Sequence, residues 1–281
     1  MVRIDWREYP DDATHVNLMN RGITEMNWDS APSQLTILDL NYNWITEMNR
    51  DHAPQQLTKI GLYNNQITHM DWGHVPQQLI VVELSHNRIT YMNWDHAPPN
   101  LTEVYLFSNR ITHINWKNAP QQLTVVELSQ NGLTEMNWDN APPNLTEVNL
   151  YNNRITEMNW VNAPPNLTTV YLGGNRITEM NWDHAPQQLT SVDLRRNDIT
   201  KVNWKNVPYT LEHVRGYNEE FEEYKAARRI QRAYIRHYTR RKAAATKIVN
   251  GCHAWVWKPV CQDGTIGIRP RLDLRELGIT D

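Results

Sequence analysis

Residues 119–140 read APQQLTVVELSQNGLTEMNWDN, and residues 141–162, one step of 22 on, read APPNLTEVNLYNNRITEMNWVN. Self-similarity at a short fixed period marks a solenoid, in which each unit buries its apolar face only against its neighbours. Working outward, the pattern L-x-x-[LIV]-x-L-x-x-N-x-[IL]-T-x-[MIV]-[ND]-W-x-x-[AV]-P recurs in eight units. They start at Leu35, Leu57, Leu79, Leu101, Leu123, Leu145, Leu167 and Leu189, with Arg50 in place of one Trp. A degenerate unit precedes them (Ala13, Val16, Leu18, Ile23), with Arg21 where Asn is expected, and a partial one follows (Leu211, Val214). A half-unit, Ile4-Asp5-Trp6, stands in register before these, so the repeat covers residues 1–217 in about ten coils. Such units present a long surface and favour a binding module over an enzyme.

The residue types predict the coil. The V-x-L segment, such as Val126 and Leu128, points alternate side chains inward as a strand does. Successive strands then form a parallel sheet, about 4.8 Å apart. Every unit carries Pro in its back segment, so that side is extended or turned and not helical. Asn43, Asn65, Asn87, Asn109, Asn131, Asn153, Asn175 and Asn197 are expected to stack as a ladder satisfying backbone groups at the turn. Thr24, Thr46, Thr68 and their equivalents up to Thr200 are read as a second ladder, and Met26, Met48, Met70, Met92, Met136, Met158 and Met180 as adaptable core filler.

The pattern resembles the leucine-rich-repeat family, whose core is L-x-x-L-x-L-x-x-N-x-L. The resemblance implies a solenoid horseshoe with a parallel sheet on its concave face and a protein-binding role. The short units also resemble those of bacterial effector-type leucine-rich proteins and, loosely, the FNIP-type repeats of amoebae and their large DNA viruses. Adjacent units are nearly identical, which resembles the repeats of large-DNA-virus proteins. By analogy with FNIP proteins, substrate recognition in a ubiquitin ligase is one alternative function.

Trp6, Trp28, Trp72, Trp94, Trp116, Trp138, Trp160, Trp182 and Trp204 occupy one coil position. Stacking of a sugar or base is one reading; indoles packed on the back of the coil is the stronger, because repetition at one position is what solenoid packing requires. His52, His74, His96 and His184 also share a position, with Asp51 and Asp95 beside them. Duplication explains this register, and no tetrahedral metal set closes. The sequence contains no phosphate loop, nucleophile elbow, paired acid and base, or metal motif. No catalytic activity and no cofactor or metal is expected.

Positions that vary between units face a partner. On the concave rows they gather Tyr63, Tyr105, Phe107, Tyr151 and Tyr171 with Glu83, Glu103, Glu127 and Glu147, and Arg195 further along. Arg88, Arg110, Arg154 and Arg176 line one rim. Tyr and Arg anchor protein interfaces, and carboxylates beside them favour a basic protein partner and disfavour nucleic acid on this face. A solvated sheet with incidental aromatics is the bland alternative.

Charge divides the chain of 281 residues. Residues 1–217 hold 15 Lys+Arg and 23 Asp+Glu; residues 218–281 hold 13 and 8, so an acidic body meets a basic tail. Asn218-Glu219-Glu220 opens a helix predicted over 219–248, stopped by Asn250-Gly251. From Tyr224 to Ile248 there are nine Lys/Arg and no acid. The stretch around Ile230, Gln231, Tyr234, Arg236 and Arg240 resembles an IQ motif, with Ile235 and Arg236 departing from its usual basic and Gly positions. The resemblance implies a calmodulin-like partner; a cap on the solenoid end, lipid and nucleic acid are the other readings of a basic amphipathic helix. Residues 251–281 carry strand-like pieces around an Asp263-Gly264 turn and a small tail packed on the solenoid end or on a second copy is expected. Cys252 and Cys261 are read as a hairpin pair or as two ordinary buried thiols. Low cysteine usage and the lack of an apolar leader or span point to the cytoplasm, a host cytoplasm or a virion included. A strand edge at the start of the repeats pairs readily with another chain, so self-association as a homo-oligomer, most simply a dimer, is expected.

Overall fold

The computed structural model describes residues 2–47, 53–73 and 75–256. Three-residue strands recur at the repeat period: β1 His15–Asn17, β2 Ile37–Asp39, β3 Lys59–Gly61, β4 Val81–Glu83, β5 Glu103–Tyr105, β6 Val125–Glu127, β7 Glu147–Asn149 and β8 Thr169–Tyr171. The series continues with β9 Glu179–Met180, β10 Ser191–Asp193, β11 Lys201–Val202 and β12 His213–Arg215. Ten of them form one parallel sheet in the order β1-β2-β3-β4-β5-β6-β7-β8-β10-β12, and β9 pairs with β11 on the back. Register follows the repeat: Val82 faces Val104, Val104 faces Val126, and Val126 faces Val148. This is the leucine-rich-repeat solenoid, with a helix, α1, at Asn218–Val256.

The core is a set of columns. Leu57, Ile60, Leu62 and Ile67 are fully buried, as are their counterparts Leu101, Val104, Leu106 and Ile111. The Asn ladder supplies the polar closure. Asn87 Nδ2 donates to the carbonyls of Leu62 (2.9 Å) and Leu84 (3.0 Å), while its Oδ1 accepts from the Ile67 N–H (2.9 Å). One amide thus bonds the preceding coil and its own, and Asn65, Asn109, Asn131, Asn153 and Asn175 repeat the arrangement. The Met row is buried wherever it is described; Met48, with Arg50, lies outside the described residues.

The back of each coil is a pair of turns. The Ala119 N–H bonds the Trp116 carbonyl (2.9 Å), and the Leu123 N–H bonds the Pro120 carbonyl (3.2 Å). Asn118, within the first turn, has φ of 63°. A positive φ is what a type II turn asks of its third residue, and Asn tolerates it better than most. The indoles pack above these turns. Trp72 and Trp94 stack at 6.3 Å and 6°, Trp94 and Trp116 at 6.1 Å and 12°. Trp116 Nε1 donates to the Asn137 carbonyl in the next coil (2.9 Å). The half-unit at the start joins the same scheme: Trp6 stacks on Trp28 at 6.1 Å, and its Nε1 donates to the Asn27 carbonyl.

Three expectations are corrected. First, the Thr row from Thr24 to Thr200 is exposed and makes hydroxyl bonds between coils only at its two ends among the described residues, Thr24 Oγ1 donating to the Val2 carbonyl (3.4 Å) and Thr200 Oγ1 to the Thr178 carbonyl (3.3 Å). The continuous hydroxyl ladder runs instead through the Thr after each leading Leu: Thr58 Oγ1 donates to the Thr36 carbonyl (3.1 Å), Thr124 to Thr102 (3.1 Å), Thr146 to Thr124 (3.1 Å) and Thr168 to Thr146 (3.0 Å). That Thr flanks the strand, where the neighbouring carbonyl lies within a hydroxyl's reach. Second, the helix passes through Asn250-Gly251 to Val256. Glycine inside a helix costs only about 1 kcal/mol relative to Ala, so it weakens a helix without ending it. Third, His253–Val256, read as part of a strand-like piece, is helical. Cys252 lies on this helix, whereas Cys261, the Asp263-Gly264 turn and the rest of that tail lie outside the described residues. The chain divides into two compact units after Phe221.

Candidate functional site: the acidic and aromatic sheet face

From β4 to β8 each strand buries its central residue and leaves its two flanking side chains on the outer face, half-covered by their neighbours. The predicted residues therefore share one surface: Glu83 on β4, Glu103 and Tyr105 on β5, Glu127 on β6, Glu147 on β7 and Tyr171 on β8. Tyr63, Phe107, Tyr151 and Arg195 follow two residues after their strands. All are half-buried except Arg195, which is exposed. The rim arginines Arg88, Arg110, Arg154 and Arg176 are exposed.

Tyr105 is the centre of this face. Its hydroxyl donates to Glu103 Oε2 at 2.7 Å. That bond, burial, and the negative charges of Glu103, Glu83 and Glu147 push the phenol up to about 12. The face therefore carries concentrated negative potential around one phenol. Glu127 is held above the usual carboxylate range by burial and by Glu147, against the hydrogen bonds it accepts from Ser129 and Asn149.

The acids are not equivalent. Glu83 Oε1 accepts from the Ser85 N–H (2.7 Å), and Glu127 Oε1 from the Ser129 N–H (2.7 Å), each capping the turn that leaves its strand. Asp39, Asn149 and Asp193 do the same. The third strand position thus has a structural duty that the sequence reading assigned wholly to binding. Glu103 lies at the first strand position and accepts from a side chain, the Tyr105 hydroxyl.

Two groups were missed. Tyr42, Tyr63, His86 and Phe107 form a run of rings along the ends of the strands, at 5.2 Å, 4.8 Å and 4.8 Å. Tyr42 and His86 stand at the left-handed residue before each ladder Asn, a position whose variability offers no aromatic signal. The second group is basic. Arg195 forks onto the buried Asp193 (2.6 Å), and Arg196 Nη1 donates to the Tyr151 hydroxyl (3.1 Å). Burial works against ionisation of Asp193, but Arg195 and Arg215 outweigh it and hold the carboxyl below its usual range. The spacing Asp193-x-Arg195 on one strand face was the available signal. The surface is thus acidic at β4–β7 and basic around Arg195, Arg196 and Arg215.

The recurring histidines have a backbone explanation. His96 and His184 have φ of 66° and 65°, in the same turn position as Asn118, Asn140, Asn162 and Asn206. His is enriched with Asn in that region. His52 and His74 lie outside the described residues, and among the described residues no group of three His, Cys, Asp or Glu is placed to hold a metal. Ile230, Tyr234, Arg236 and Arg240 are exposed on α1, and Gln231 lies on the same helix. No described helix is long and apolar enough to cross a membrane.

No protein-family model matches the sequence, and no curated protein matches it. Solved structures do. The Toll–Spatzle complex of Drosophila matches with a TM-score of 0.60 at 20% identity, over 71% of this chain and 28% of that one. The APL1 leucine-rich-repeat domain gives 0.57 at 21%, over 73% and 62%. The TLR13–ssRNA13 complex gives 0.57 at 21%, over 71% and 33%. The chain spans less than two thirds of each of these proteins, and the likeness is one of fold.

Proposed function

We propose that this chain is a non-enzymatic interaction scaffold that binds a basic protein through the sheet face centred on Tyr105. The observation that carries the reading is the Tyr105–Glu103 bond inside the field of Glu83 and Glu147. Half-buried aromatics offer area at low entropic cost, and the surrounding carboxylates select a cationic surface. The same charges repel a phosphate backbone, so a protein fits better than the RNA held in the TLR13 complex. The reading places the protein in the cytoplasm, on its sparse cysteine usage. Tagged full-length chain, with Tyr105→Ala and Tyr151→Ala as the comparison, tests it by capture from extract and mass spectrometry. The substituted chain is expected to lose its partner and keep the parent's circular dichroism; unchanged capture refutes the reading.

A second reading rests on α1. Ile230, Tyr234, Ile235 and Tyr238 are 72%, 68%, 53% and 58% exposed. An apolar row of this kind on a basic helix suits the groove of a calmodulin-like protein. A fluorescence titration of the full chain with calmodulin, with and without Ca²⁺, decides it: no binding in either condition ends this reading.

A further inference from the structure

The acidic sheet face and the basic helix complement each other in charge, length and spacing. On α1, Arg229, Arg232, Arg236, Arg240 and Lys247 are all exposed. At 3.6 residues per turn they fall within about 80° of arc, so they form one face of the helix. The apolar row of Ile230, Tyr234 and Tyr238 lies on the opposite side by the same rotation. From Arg229 to Arg240 the rise is about 16 Å. On the sheet, Glu83, Glu103, Glu127 and Glu147 occupy four successive strands. Those strands cover about 14 Å at the usual spacing. A helix laid across the strands thus meets about one carboxylate per 4.8 Å of sheet and one arginine per 6 Å of helix along its i, i+4 row.

We infer that the basic face of α1 from one copy of this chain docks on the acidic sheet face of a second copy. This deepens the reading of that face by naming its basic partner as the chain's own helix. The net charge of residues 1–217 is opposite in sign to that of residues 218–281, so like ends repel and head-to-tail contact is favoured. Such a contact is heterologous: each copy offers one helix and one sheet face, so assembly continues until it closes as a ring or extends as a chain. Salt weakens it, because the contact is made by partly exposed charges.

Light scattering on the full chain, across protein concentration at about 50 mM and about 500 mM salt, tests this. The mass is expected to rise above 33.1 kDa with concentration at low salt, and to fall back at high salt. One variant reverses the helix: Arg232→Glu, Arg236→Glu and Arg240→Glu. The other reverses the sheet at Glu103→Lys and Glu147→Lys, sparing Glu83 and Glu127, which hold backbone N–H groups. Each variant alone is expected to weaken association by at least about tenfold, and an equimolar mixture of the two to restore it, since opposite charges then meet again. Restoration also shows that both variants fold. A chain that stays monomeric at low salt overturns the inference, as does association untouched by either reversal. If the sheet reversal abolishes capture of a foreign partner while self-association is unchanged, this inference falls and the scaffold reading stands. If it changes neither, both fall. Binding of the helix-reversed chain's parent to anionic vesicles in place of self-association also overturns it.

Discussion

The ring of Phe221 lies 5.5 Å from that of Trp204, with the planes 28° apart. The first turn of α1 therefore supplies the last aromatic of a stack in which Trp160, Trp182 and Trp204 follow one another at 6.3 Å and 6.2 Å. Phe221 is 2% exposed. A solenoid's final coil has no following unit to cover it, and here one phenyl ring takes the place of the next indole.

Phe221→Ala is expected to destabilise the last coils by about 3 kcal/mol, the range for removing a buried phenyl ring. Neighbour-coupled repeats need not unfold as one unit. The measurement is amide hydrogen exchange on the full chain: protection should drop around Val192 and Val214 and persist around Val104. A uniform loss, or none, contradicts the capping role.

Asn153→Leu fills the same space without the amide. It orphans the carbonyls of Leu128 and Leu150 and the N–H of Leu133, all bonded by Asn153 now. Buried groups left unmet cost about 1–3 kcal/mol each, so a loss of at least 3 kcal/mol is expected. The urea midpoint of the substituted chain reads this directly; a shift under about 1 kcal/mol would show that water replaces the ladder.

The pH dependence of Tyr105 follows from its raised phenol. Folded Tyr105 holds its proton up to about 12, above the ordinary value of about 10. Its contribution to stability is thus fully present below pH 10 and is lost as the pH rises through 12. Ultraviolet titration of the parent minus Tyr105→Phe isolates this phenol. Glu103→Gln, which removes the acceptor's charge, is expected to bring it back toward the ordinary value of about 10; an unmoved titration would assign the shift to burial.

His184→Asn is expected to change stability by less than about 0.5 kcal/mol, and His184→Val to cost about 1–2 kcal/mol, since a β-branched residue is strained at φ of 65°. Thermal melts with and without Zn²⁺ check both substitutions. Zinc-dependent stability of the parent that His184→Asn removes would restore a metal role to the row.

Much of the fold was legible because its information is local and repeated. The 22-residue spacing set the strand register, and Val104, Val126 and Val148 pair as the period requires. The Trp row proved to be packing, as regular repetition demands. The site was legible as a surface, since variable strand positions can only face outward when their neighbours are core. Its internal chemistry was not. That Glu127 caps Ser129 while Glu103 holds a phenol depends on side-chain reach over a few ångströms, which letters at i and i+2 do not encode.

The sequence by itself determined the coil: its period, its inward columns and the Asn ladder, because each unit sees the same neighbours and the same demand for buried amide partners. Only the tertiary structure decided which Thr row bonds continuously from coil to coil, why His96 and His184 share a position with Asn, and that Phe221 completes the indole stack. Those outcomes turn on backbone φ and on distances between coils, which are set when the units pack and not before.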